Sequence, residues 1–361
     1  MARIKAAVCH EFGKPLTIEE VELRAPENGE VEVKLSACAI CHSDISYMDG
    51  GWGGSLPAVY GHEAAGAVTS VGPNVQGVSV GDRVVVTLIR SCGGCPSCSG
   101  GHPYSCETGY DGDQGPLKTA AGGKLHQAMA CGAFAERVVV DQSQVVIVPD
   151  DVALDAASLL ACGVITGIGA VVNAARVRAG EDVVVIGAGG VGLNAIQGAR
   201  IAGARRIVAV DMSEGKLAMA REFGATDGVL ATSADPAKEA IDLLGRRADW
   251  VFVTVGSAKA YDQAINYIGR RGNIVLVGMP HTGQSSSYEL GNLAAWSQGM
   301  VGSKMGNTVI KRDIPWMVDM YRQGRLKLDE LISKRWSLDQ INEAIADTKS
   351  GSAKRNVIIF D

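Results

Sequence analysis

Several absences narrow the class of this chain before any motif is considered. It has no concentrated run of lysine or arginine, and its formal charge is −5. A nucleic-acid surface is usually marked by a clustered basic patch, so no nucleic-acid partner is expected. Residues 1–15 contain no continuous apolar run, so no secretory signal is expected there. There is no internal repeat and no low-complexity linker. Only residues 156–175 are uncharged over a length that raises a membrane span. That stretch carries Ser158, Thr166, Asn173 and three glycines. It reads better as a buried helix between domains, with no membrane partner. Nine cysteines is an odd count. Without an export signal, a disulfide framework is not expected. A cytoplasmic setting is expected instead, where clustered thiols more often bind metal.

The 361 residues make two domains the first expectation. Apolar residues make up 47% and charged residues 20%, which is ordinary for a globular protein. The 46 glycines lie mostly in short motifs, where tight turns and close backbone approaches need them. Up to about residue 148 the pattern is β-rich. Apolar runs at 31–35, 64–71, 83–88 and 137–140 are separated by turn formers. Beyond Pro149 an apolar helical stretch leads into alternating elements: strand 183–186, helix 191–202, strand 207–210 and helix 213–223. Strands at 250–255 and 273–277 follow. Such alternation predicts βαβ units and a parallel sheet. A helix at 314–323 and a strand at 356–360 complete the chain.

Gly187, Gly189 and Gly192 form G-x-G-x-x-G between an apolar strand and a helix. Alone the pattern is weak, but here a second strand ends in Asp211 at the expected distance. Gly187 permits the tight turn. Gly189 lets the backbone approach a pyrophosphate, and Gly192 lets the helix pack on its strand. Gly190 and Val191 open the helix, whose free N–H groups face the phosphates. Asp211 would accept from the adenosine ribose hydroxyls and repel a 2′-phosphate, which favours NAD over NADP. Lys216, one turn into the next helix, is within reach of the ribose.

The cysteines fall into two groups. Cys92, Cys95, Cys98 and Cys106 are spaced by turn formers and suit a closed tetrahedral thiolate site. Four thiolates around a zinc dication give a net charge of −2, which makes a poor Lewis acid and points to a structural role. An iron–sulfur cluster and an unmetallated thiol cluster are the alternatives. The second group is scattered: Cys41, His62 and Cys162. Two thiolates and a neutral imidazole would balance zinc to about zero and leave a fourth position open. Taken singly, Cys162 also fits a core residue and His62 a structural histidine. Spacing alone does not bring the three together.

Together, these residues resemble the medium-chain, zinc-containing alcohol dehydrogenase family. The resemblance runs through Cys41, His42, Ser43 and Asp44, then Gly61, His62, Glu63 and Gly66, and then Gly81, Asp82 and Arg83. It continues through the four-cysteine lobe, the segment Cys162 to Gly167, and the turn Gly187 to Gly192. It implies an α/β protein: a β-rich GroES-like catalytic domain (residues 1–163 and 305–361) interrupted by a doubly wound Rossmann dinucleotide-binding domain (164–304). It further implies two zinc ions, a catalytic one on Cys41, His62 and Cys162 and a structural one on the four-cysteine lobe. Asp44 would orient His62, and Glu63 would lie behind the metal and assist ligand exchange. Ser43 would take the substrate proton. His42 would meet the pyrophosphate, Thr166 the nicotinamide, and Arg355 a phosphate.

The chain departs from the family at Ser46, where many members have a histidine that passes the proton onward. Trp52 and Tyr110 stand where the glutathione-dependent formaldehyde branch has an acid and an arginine, which weighs against a thiol-adduct substrate. Trp52, Tyr110, Trp296 and Met305 are candidate pocket residues and favour a medium-chain or aromatic primary alcohol, exchanged with its aldehyde. A formaldehyde dehydrogenase acting on a hydroxymethyl-thiol is the enzymatic alternative. A zinc-free quinone reductase type and a non-catalytic dinucleotide-binding protein are the others. An edge strand near 297–304 would suit two-fold pairing into a homodimer or homotetramer.

Overall fold

The computed structural model describes all 361 residues. The chain divides into two compact units, Met1–Cys162 with Val309–Asp361, and Gly163–Thr308.

The first unit is built on two sheets. One runs in the order Leu117–Thr119, Thr17–Leu23, Ala2–Cys9, Ala58–Val59, His126–Gln127. The other runs Val145–Ile147, Arg83–Val86, Glu63–Val71, Glu30–Ala39, Arg355–Ile359, Ile332–Ser337, and Arg137–Asp141 also pairs with Glu30–Ala39. The strand Glu30–Ala39 shows why the pairing is specified. Val31, Val33 and Leu35 are buried while Lys34 between them is exposed, and a register slip would reverse those faces. Phe134, Leu35, Leu23 and Leu125 are fully enclosed in its core. Each such burial is worth about 1.5–3 kcal/mol. The strand Arg355–Ile359 pairs Val357 with Ala39. The chain's end thereby completes the sheet its beginning started, and the unit is discontinuous in sequence.

The second unit holds a six-stranded parallel sheet. Its order is Asp227–Leu230, Arg206–Asp211, Asp182–Ile186, Ala248–Val253, Ile268–Leu276, Gly299–Gly302. Counted along the unit this is 3-2-1-4-5-6, the doubly wound arrangement. Every residue of Asp182–Ile186 is buried, as a central strand covered on both faces requires. Fully buried Asp182 is paired at 2.6 Å with both Arg205 and Arg246. The division falls at 162 and 309, where the sequence places it at 163 and 305, because 305–308 pack on the start of this unit. Thr308 Oγ1 donates to the Ile165 carbonyl at 3.3 Å, and Asn173 Nδ2 to that of Gly306 at 3.3 Å.

No single helix is long and apolar enough to cross a membrane. Residues 156–175, expected as one buried helix, are mostly buried but broken into Leu154–Ser158, Leu159–Ala161, Gly163–Gly169 and Ala170–Ala175. The break lies at Cys162, whose backbone leaves the helical region (φ −147, ψ −68).

Candidate active site and metal centre

Cys41 follows the strand Glu30–Ala39 and stands at the N-cap of the helix His42–Met48 with extended backbone. Asp44, at the third helical position, returns Oδ2 to accept the Cys41 N–H at 3.0 Å. This is one half of a capping box, and it fixes where the helix starts. Asp44 Oδ1 accepts from the Gly61 N–H and from His62 Nδ1, both at 2.9 Å. One fully buried carboxylate therefore ties the segment of Cys41 to that of His62. Gly61 is required there: its φ is +91, and a Cβ would lie 2.6 Å from the Phe134 ring and amide.

With Nδ1 engaged by Asp44, the imidazole presents Nε2, which is buried and has no hydrogen-bond partner. Buried polar atoms are normally satisfied, so this atom marks a place for an electrophile. Ligand atoms of Cys41, His62, Glu63 and Cys162, all buried, lie within 4.8 Å of one another and could hold a metal ion. Cys162 reaches the group because the helical chain breaks at it. The Cys41 thiol is held well below its ordinary range by hydrogen bonding from Cys162 and by the neighbouring His62, against the effect of burial. Burial pushes the Glu63 carboxyl up, and the Arg355 charge holds it down against that.

Arg355, expected to reach a phosphate, is buried with its guanidinium against the Glu63 carboxylate. Their charges cancel. Two thiolates would therefore balance a dication if Cys41, His62 and Cys162 held one, and would leave that ion electrophilic.

Cys92, Cys95, Cys98 and Cys106 also place their sulfurs within 4.8 Å of one another. Zinc–sulfur bonds of about 2.3 Å in a tetrahedron put sulfurs about 3.8 Å apart, and Cys95 and Cys106 Sγ are 4.0 Å apart. Backbone N–H groups point at the sulfurs: Cys92 at Cys106 and Cys95 at Cys92, both 3.3 Å, and Cys98 at Cys95, 3.4 Å. The hydroxyl of Thr108 and the amides of Cys95 and Gly94 hold the Cys92 thiol down to about 6. Desolvation and the neighbouring Cys95 push Cys98 up to about 12. A central dication would draw that proton off as well, so the donor set fits a metal.

In the second unit Gly187 has a left-handed backbone (φ +97), and a Cβ on Gly192 would sit 1.8 Å from the Gly187 carbonyl oxygen. The helix Gly190–Ala202 starts at Gly189 with no side-chain cap. Its first N–H groups are therefore open to an anion. Asp211 Oδ2 accepts the Ala188 N–H at 2.7 Å and Oδ1 the Ser213 N–H at 3.2 Å. Its carboxylate is thus held beside the turn. Thr254 shares its one hydroxyl proton between the Ile186 and Gly187 carbonyls, at 3.0 and 2.8 Å, and braces the same turn. No local pattern in the sequence marks it. Lys216 is partly buried on the following helix.

Of the remaining candidates, His42 is exposed and Ser43 partly buried at the start of the helix His42–Met48. Thr166 donates to Met305 Sδ at 3.8 Å. Trp52 meets Tyr47 edge-on at 5.0 Å, and Tyr47 stacks on Tyr60 at 6.3 Å. Tyr110 is engaged by Gln127 and by the Arg90 guanidinium over its ring. Trp296 lines a cavity of about 310 Å³ with Arg247, Asn266 and Tyr288, and Met305 is not among the residues that line it.

Two family models match the chain. "Alcohol dehydrogenase GroES-like domain" covers residues 27–150 and "Zinc-binding dehydrogenase" covers 190–323. An NDMA-dependent alcohol dehydrogenase of Amycolatopsis methanolica is 38% identical over 99% of this chain and 99% of its own length. A zinc-binding domain protein of the alcohol dehydrogenases from Burkholderia ambifaria superposes with a TM-score of 0.96 at 36% identity, covering 100% of this chain and 99% of that one. Benzyl alcohol dehydrogenase of Acinetobacter calcoaceticus superposes with a TM-score of 0.94 at 31% identity, with both chains covered completely.

Proposed function

The chain belongs to the zinc-containing, medium-chain alcohol dehydrogenase family and is an alcohol dehydrogenase, and from that premise we propose that it moves a hydride between NAD and a medium-chain or aromatic primary alcohol. The observation that carries the proposal is the convergence of Cys41, His62 and Cys162 around the unpartnered Nε2 of His62.

Zinc held there supplies Lewis-acid polarisation of the alcohol or carbonyl oxygen. Asp44 keeps His62 in the tautomer that offers Nε2. Ser43 takes the alcohol's proton. Neutral pairing of Glu63 with Arg355 leaves the charge balance of the ligand set undisturbed. The four-cysteine lobe holds a second zinc and serves stability alone. In the other unit the turn from Gly187 to Gly192, with Gly190 and Val191, receives the pyrophosphate. Asp211 takes the adenosine ribose with Lys216 beside it, Thr166 approaches the nicotinamide, and His42 meets the pyrophosphate. The Asp211 carboxylate, fixed by two amides, favours NAD over its 2′-phosphorylated form. The enzyme works in the cytoplasm as a homodimer or homotetramer, paired through the edge strand Gly299–Gly302.

A substrate screen tests the reading. Alcohols from ethanol to benzyl alcohol are supplied with NAD, NADP or NDMA as acceptor, and aldehyde is measured. The reading expects NAD to support turnover and aromatic or medium-chain alcohols to be preferred. Turnover with NDMA and none with NAD would remove NAD as the exchanging acceptor.

A further inference from the structure

Arg247, Asn266 and Gln298 each stand just before a strand of the parallel sheet: Ala248–Val253, Ile268–Leu276 and Gly299–Gly302. In a parallel sheet those positions share the amino edge. The turn Gly187 to Gly192 follows Asp182–Ile186 and so lies at the carboxyl edge, where doubly wound sheets hold their dinucleotide. All three residues line the cavity of about 310 Å³ at Trp296, and its whole lining belongs to the unit Gly163–Thr308. That cavity is therefore outside the cofactor site. Its size is at the lower end for a small-molecule pocket.

Strand pairing brings two Gly-Arg-Arg triplets together here. Gly245-Arg246-Arg247 leads into Ala248, Gly269-Arg270-Arg271 follows Ile268, and Ala248 pairs with Ile268. A Cβ on Gly269 would lie 3.3 Å from that of Arg247. Arg246 is engaged by Asp182 and Asp249. Arg247, Arg270 and Arg271 are exposed and stand in no ion pair. Arg247 gives one N–H to the Asn266 carbonyl. A guanidinium has five such groups, so most of its donors remain open to a ligand.

The bulge that carries the second triplet is fixed to the cavity wall. Arg271 is left-handed (φ +63), and its N–H donates to the Trp296 carbonyl at 2.8 Å. Gln298 Nε2 donates to the carbonyls of Ile268 and Gly269 at 3.4 and 3.1 Å. A residue with a Cβ keeps such a backbone only where its surroundings impose it. The apolar part of the lining is Ile265 with the rings of Tyr288 and Trp296. The Tyr288 hydroxyl donates to the Tyr261 carbonyl at 2.9 Å, which holds its ring. Glu289 is the one acid on the wall, and Asn292 donates to it at 2.5 Å.

We propose that this cavity is a second ligand site, built for a small aromatic carboxylate. The carboxylate meets the Arg247 guanidinium in the positive field of Arg270 and Arg271, and the ring lies against Trp296 and Tyr288. A guanidinium fork matches the two oxygens of a carboxylate, and flat rings pack on flat rings. A neutral aromatic would leave the arginines unused. Inorganic phosphate would leave the rings uncovered. The site does not depend on the dehydrogenase reading.

The test titrates the zinc-loaded full chain with benzoate by calorimetry, with benzamide and inorganic phosphate as its neutral and ringless counterparts. Amide exchange by mass spectrometry locates what binds. Benzoate is expected to bind with a Kd of about 1 mM or tighter and to slow exchange at 266–272 and 287–298. Benzamide and phosphate are expected to bind about tenfold more weakly or less. Arg247→Met keeps the stem and loses the fork, and should weaken benzoate about tenfold or more. Arg247→Lys should recover only part of that loss. Trp296→Leu should weaken benzoate too. Should Arg247→Met fail to fold, Arg271→Gly relieves the left-handed backbone and removes one charge, and weaker benzoate binding at low salt is expected. Benzoate that slows exchange only near Cys41, His62 and Cys162 has bound at the metal centre, and overturns the proposal. Benzamide or phosphate bound as tightly as benzoate, or full benzoate affinity in a folded Arg247→Met chain, overturns it as well.

Discussion

The Asp44 carboxylate lies 2.9 Å from Nδ1 of His62, and both side chains are fully shielded from solvent. The same carboxylate accepts the backbone N–H groups of Cys41 and Gly61. It is therefore the joint that sets one candidate zinc ligand against another. An asparagine has a single acceptor oxygen and cannot make all three contacts. Asp44→Asn should lower zinc affinity about 10–100-fold, measured by competition with a chelator, while the four-cysteine lobe keeps its metal. Equal affinity in the variant would remove Asp44 from this role.

The four-cysteine lobe has little else to hold it. None of Cys92, Cys95, Cys98 and Cys106 is buried, and the surrounding elements are the single turns Pro96–Ser99 and Pro103–Ser105. Cys98→Ser should cost one zinc per chain and lower the melting temperature. The rate per folded molecule should stay near that of the wild type. A collapse of that rate with the fold retained would contradict a purely structural lobe.

Asp211 is aimed by the amides of Ala188 and Ser213, which leaves its remaining acceptor capacity for a ribose. Hydrogen bonds to a charged group contribute about 1.5–3 kcal/mol. Asp211→Gly should accordingly weaken NADH binding about tenfold or more, read from NADH fluorescence, with zinc content unaltered. Unchanged binding would take Asp211 out of the cofactor site.

Arg355 and Glu63 form a buried pair on the same unit as the candidate ligands. Removing one partner of such a pair costs about 3–5 kcal/mol, because the other charge is left stranded. Arg355→Met should show a loss of that size in urea unfolding, and the double variant Arg355→Met, Glu63→Gln should recover much of it. Full stability in Arg355→Met would return this arginine to the phosphate role that the family resemblance implies.

The parts legible in the sequence are the local ones. The turn from Gly187 to Gly192, the strands on either side of it and the acid at Asp211 lie within one βαβ unit, and each leaves a short-range pattern. The four thiols of the lobe fall in one short stretch. Cys41, His62 and Cys162 needed the family resemblance, since no periodicity relates residues so far apart in the chain. Contacts between distant segments were not legible at all. Gln144 meets Thr87 and Ala130, Arg355 meets Glu63, and Thr254 braces Gly187; such pairs are fixed by the packed sheet. Short elements such as Asp227–Leu230 and Ala258–Ala264 also escaped, because a few residues carry too little periodicity. The stretch 156–175 read as one helix because its composition is uniformly apolar, and composition does not register the backbone break at Cys162.

Cys162, at that break, is the last of the three candidate ligands, so it offers the most direct measurement. Cys162→Ala removes one thiolate from the open site and leaves the four-cysteine lobe untouched. The account predicts one zinc per chain instead of two, one for each ligand group, with an unchanged circular dichroism spectrum and no NADH formed from alcohol and NAD. NADH formation at the wild-type rate by a folded Cys162→Ala chain would contradict it.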